Sequence, residues 1–140
     1  MDVQSSNHSV RSGLRTSVGK HQVIVWRLVF FFMLCAVMTL ALLPTIGTPG
    51  FAGQDKLIHL IVLSVLFFMG AKAHQGLISW KWLYLYLGLF SYGVLMELLQ
   101  GQTSYRSMEV WDLVADSLGL MVGHSALKLF SKYQNFKQGF

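Results

Sequence analysis

Three short stretches of the chain carry side chains able to hold or move charge: Asp55, Lys56 and His59; then Glu97 and Gln100; then Arg106, Asp112 and Asp116. Asp55 and His59 are four residues apart, Lys56 and His59 three, Glu97 and Gln100 three, and Asp112 and Asp116 four. On a helix each of these pairs shares a face. His59 titrates near neutral pH and has a carboxylate and an ammonium as neighbours, so it could accept a proton or touch a phosphate. The blander role is a hydrogen-bonded strut between helices. Lys56 and Arg106 together could hold a phosphate or pyrophosphate, Arg by its planar fork and Lys as a point charge. Glu97, Asp112 and Asp116 could in principle ligate a divalent cation. No Asp-x-Asp or His-rich spacing supports that, and pairing with Lys56 and Arg106 is the stronger expectation, because both cations need compensation at low dielectric. We therefore assign no metal and no cofactor at this level.

The elements that must position these residues follow from composition. The 140 residues are 54% hydrophobic and 12% charged, against about 25% charged in soluble domains. A bilayer span takes about 20 apolar residues, so four spans would use most of the chain. The fold class expected is all-α, an integral membrane bundle of about four transmembrane helices. The spans fall at about 23–43, 56–73, 80–99 and 110–130, with short tails at 1–22 and 131–140. Pro44, Gly47 and Pro49 break the chain after the first span. Gly76 follows the second, and Trp80, Trp82, Tyr84 and Tyr86 open the third like an interfacial belt. The tail 1–22 reads as disordered or interfacial. Val10, Leu14 and Val18 would permit a weak surface helix, against which Gly13 and Gly19 argue.

The net charge of +5 does not indicate nucleic acid, because the basic residues flank apolar runs instead of interleaving with surface aromatics. Nine of the eleven Lys and Arg residues fall on the side of the N-terminus, leaving Lys56 and Arg106 opposite. By the positive-inside rule both termini are then cytoplasmic. Asp55, Glu97, Glu109, Asp112 and Asp116 gather at the outward side. In an up-down bundle the start of the second span, the end of the third and the start of the fourth share that side, so the polar stripes can converge. Gly119 and Gly123 form a small-xxx-small pair that allows close helix packing below them. Cys35 reads as a small apolar residue, and His124 as a residue bonding across helices.

The ordered set Gly53-Gln-Asp-Lys-Leu-Ile-His59, Glu97-Leu-Leu-Gln100, Arg106, Asp112, Asp116, Gly119 and Gly123 resembles the two signature segments of the VanZ-like family. The likeness spans about half the chain. It implies a compact multi-span protein of the bacterial cytoplasmic (inner) membrane, in a family whose founding member is linked to teicoplanin resistance. It also implies that Asp55, Lys56, His59, Glu97, Gln100, Arg106 and Asp112 are the polar positions that matter. Asp116 stands where the family often has Asn, and this extra carboxylate would pair with Lys56 or Arg106 or be protonated. The expected partners are membrane lipids, including an anionic or undecaprenyl-type lipid head group. The alternatives are a structural ion-pair network and, less favoured, hydrolysis of a lipid-linked substrate by His59 and Glu97. No nucleophile elbow, Walker loop or dinucleotide fingerprint is present, so the case for an enzyme is weak.

Overall fold

A computed structural model describes residues 3–44, 52–74, 81–104, 106 and 108–138. Four helices account for nearly all of them: α1 (Val3–Ala41), α2 (Gln54–Ala73), α3 (Lys81–Gln100) and α4 (Val110–Gln138). There is no strand among the described residues. Each helix contains a stretch long and apolar enough to cross a membrane, at His21–Ala41, Gln54–Ala73, Trp82–Gln100 and Val110–Lys137.

Two helices outrun their expected lengths. The backbone is helical over 3–22, where a disordered or interfacial tail was expected, and α4 continues through 131–138. The physical reason is the same at both places. Once an apolar span has nucleated a helix, adding a turn fixes one hydrogen bond per residue, which modest propensities sustain. α1 stops at Ala41, three residues before Pro44, consistent with the bias of pre-proline residues away from helix. Gly47, Pro49, Gly76 and Trp80 lie outside the described residues.

α2 is the central helix, packing chiefly on α4 and also on α1 and α3. Leu63, Leu66, Phe67, Leu89, Met96 and Leu120 are buried between the helices. The outer surface is the reverse of a soluble protein's, with Phe31, Phe32, Leu40, Val110 and Trp111 all at least two-thirds exposed. Cys35 faces outward with them. Between lipid-solvated helices there is little hydrophobic drive to associate, so close packing and interhelix hydrogen bonds hold the bundle. Both occur on the α2–α4 face. A Cβ built on Gly119 would sit 2.5 Å from the Leu60 carbonyl oxygen, and one on Gly123 would sit 2.6 Å from that of Ser64. The Ser64 hydroxyl shares its hydrogen between Leu60 O at 2.7 Å and Gly119 O of α4 at 2.9 Å.

Further cross-links brace α1. The Tyr92 hydroxyl donates to Leu34 O (2.7 Å), and the Arg27 Nε–H to Ala73 O (3.2 Å), one of the last carbonyls of α2, which lack a partner within the helix. At that same end Lys72 lies 4.3 Å from the Phe130 ring centroid. His124, expected to bond across helices, instead packs its ring among Phe67, Trp82 and Tyr86, and its buried Nδ1 makes no hydrogen bond.

Candidate functional site

The opposite end of the bundle brings together the end of α1, the start of α2, the end of α3 and the start of α4. Gly53 introduces α2 with φ 88°, a left-handed conformation that L side chains adopt only with strain. Its carbonyl accepts the first helical bond, from Leu57 N at 3.1 Å. Asp55 and Asp112 lie in the first turns of α2 and α4, where the exposed N–H groups favour a carboxylate.

The side chains form three linked groups. Asp116 Oδ1 accepts from His59 Nδ1 at 3.0 Å, and His59 Nε2 stands 3.5 Å from Glu97 Oε1. These three residues are almost fully buried. Lys56 Nζ donates to Glu109 Oε2 at 2.7 Å and lies 3.6 Å from the buried Asp112 Oδ1. Arg106 pairs with Asp55 through one terminal nitrogen, and through the other donates to Ala41 O at 3.3 Å. Gln100 donates to that same carbonyl at 3.1 Å. Glu97 joins the first two groups by accepting from the Glu109 backbone N–H at 3.1 Å.

All eight expected polar residues therefore lie at one end, but their pairings are not all the expected ones. Asp116 pairs with His59 and not with Lys56 or Arg106. Gln100, for which no particular partner was expected, bonds to the backbone of α1. Glu109, counted among the outward acidic residues but left out of the site, is the principal partner of Lys56. Gly93 is a further member, because the Asp116 carboxylate lies directly over it and would collide with any Cβ there. Its position four residues before Glu97, on the same helical face, is the signal that could have found it.

The electrostatics are lopsided. Five carboxylates, from Asp55, Glu97, Glu109, Asp112 and Asp116, face two permanent cations. Glu97 Oε1, Asp112 Oδ1 and Asp116 Oδ2 are buried and make no hydrogen bond. Outside the spans, the Lys56 hydrogen bond holds the Glu109 carboxyl below the usual carboxylate range.

Beside the cluster, between α1, α2 and α3, lies a cavity of about 240 Å³. Its wall is apolar, with Val37, Leu40, Val62 and Met96, and one end is polar, formed by Asp55, His59, Gln100 and Arg106.

Comparison with family models, with curated proteins and with solved structures returns no match to this chain. The functional reading therefore rests on the site itself.

Proposed function

We propose that the chain is a VanZ-like membrane protein that binds or handles an anionic envelope lipid or lipid-linked cell-wall precursor at the polar end of the bundle. The observation that carries this reading is the amphiphilic cavity: apolar along Val37, Leu40, Val62 and Met96, and polar only where Arg106, Gln100, His59 and Asp55 close it. The apolar wall suits a segment of an acyl or isoprenoid chain, and the polar end suits a phosphate head group. Arg106 commits two of its N–H donors, to Asp55 and to Ala41 O. A guanidinium has five, and among the described residues the others meet no acceptor, which leaves them able to face a phosphate. Lys56, next to Asp55 in the first turn of α2 and paired with Glu109, is a second cation at the same end of the bundle.

On this reading the site faces outward in a bacterial cytoplasmic membrane, and its loss would change susceptibility to a glycopeptide such as teicoplanin. Native mass spectrometry of the purified chain should show a co-purifying phospholipid or polyprenyl phosphate that Arg106→Gln loses while remaining monodisperse. Equal retention by wild type and variant would overturn the assignment.

A second reading has its own support. Both cations are already paired with carboxylates, as a purely structural network requires. Under it, Arg106→Gln and His59→Ala would fail to accumulate and no lipid would be retained by the wild type.

A further inference from the structure

We propose that Asp55, His59 and Asp112 form a binding site for a divalent transition-metal ion. Each brings one ligand-type atom, and the three atoms lie within 4.8 Å of one another. Asp55 and His59 stand one helical turn apart on α2, and Asp112 comes from α4.

Two observations separate this from an ordinary acidic cluster. Asp112 is 1% exposed, and its Oδ1 makes no hydrogen bond, its nearest positive group being the Lys56 ammonium at 3.6 Å. A buried carboxylate oxygen without a hydrogen bond is destabilising, and a bound cation would relieve it. The second observation is the orientation of His59. A carboxylate only accepts, so Nδ1 carries the proton that it donates to Asp116. In the neutral ring Nε2 then presents a lone pair toward Glu97 Oε1, 3.5 Å away and itself without a hydrogen bond. Two lone pairs meeting in a buried site are relieved by a proton between them or by a metal cation that both ligate.

A histidine fixed by a carboxylate on one nitrogen and open on the other is the arrangement that metal-binding histidines use. The 3.5 Å between His59 Nε2 and Glu97 Oε1 is close to the separation of about 3.4 Å between two ligands on a tetrahedral ion with bonds of about 2.1 Å. That places Glu97 at the edge of the site as a further oxygen donor. Asp55 has a second oxygen besides the one held by Arg106, so it can serve both. One imidazole with two or three carboxylates suits Zn²⁺ or Mn²⁺ better than Mg²⁺ or Ca²⁺, which take oxygen ligands alone. The excess of carboxylates over permanent cations supplies the charge to hold a dication. Asp55 and His59 also line the cavity of the proposed lipid site, and because the test uses the metal alone the two readings can fail separately.

The full chain in detergent, stripped with EDTA and titrated calorimetrically with ZnCl₂ and then MnCl₂, should take up one equivalent. Asp112→Asn and His59→Gln should weaken uptake by at least the roughly 10–100-fold that loss of an outer-shell partner costs, while Ser117→Ala, whose hydroxyl returns to Leu113 O, should not. Should the His59 variant fail to fold, the Mn²⁺-loaded wild type decides the matter by pulsed electron paramagnetic resonance. Coupling to an imidazole ¹⁴N supports the site, and its absence overturns it. A monodisperse wild type that takes up no metal at about 100 µM, or variants that bind like the wild type, would also overturn it.

Discussion

His59 of α2 and Asp116 of α4 meet at 3.0 Å with both side chains sealed from the surroundings, joining two helices whose residues are 57 apart in sequence. The bond needs an acceptor at Oδ1, and an amide oxygen can also accept. Asp116→Asn should therefore unfold within about 1 kcal/mol of the wild type, whereas Asp116→Ala leaves a buried imidazole N–H unpaired and should cost about 1–3 kcal/mol. Thermal unfolding of the two variants in the same detergent measures the difference.

Close approach of α4 to α2 makes the second expectation steric. A methyl group at Gly119 would lie 2.5 Å from a backbone carbonyl oxygen of α2 and not from a movable side chain. Gly119→Ala should cost about 1–3 kcal/mol, as overpacking does, and Gly119→Leu should prevent accumulation of a monodisperse protein. Gly88→Ala, where a Cβ meets nothing within 4 Å, is the matched control and should leave the melting temperature unchanged or raised.

The Lys56–Glu109 bridge should be sensitive to acid. Glu109 is shifted downward on folding by its hydrogen bond to Lys56. Its contribution is thus complete above the unfolded-state pKa of about 4.3 and disappears as pH falls through the lower folded-state value. Melting temperatures recorded from pH 7 down to pH 3 should fall at the acid end, and Glu109→Gln should flatten that limb. An unchanged limb in the variant would refute the assignment of this bridge.

Gly53 holds the left-handed turn that starts α2. Nothing lies within 4 Å of its absent side chain, so any penalty is conformational and not steric. Gly53→Ala should cost about 1–2 kcal/mol, and Gly53→Asn, which tolerates this region better, should cost less. Chemical denaturation of the three proteins ranks them.

Much of this arrangement was legible from residue types. The four apolar runs, the helical spacing of the polar pairs and the small-residue pair in α4 follow from periodicities that a membrane enforces strictly. Other features depend on groups that every residue possesses. The Ala41 carbonyl that receives Gln100 and Arg106, and the Ala73 carbonyl that receives Arg27, carry no mark in the sequence. Glu109 escaped because it precedes the first turn of α4, where helical spacing does not apply. The pairing of Asp116 with His59 and not with a permanent cation depends on the rotation of α4 about its axis, which Gly93 and Gly119 set by removing side chains from its path.

The pairs Asp55–Arg106, Lys56–Glu109 and His59–Asp116 are separated by 51, 53 and 57 residues. A ribosome delivers the second helix long before it has made the partners of these three side chains. Each intramembrane charge costs about 2.5–3.5 kcal/mol on the insertion scale when it lies at the bilayer centre. The placement of all three in the first two turns of α2, near the surface, lets that helix wait without them. The site is thus completed only once the start of α4 has been made, and a nascent chain released before Arg106 would present three orphaned polar groups to the quality-control machinery of the membrane.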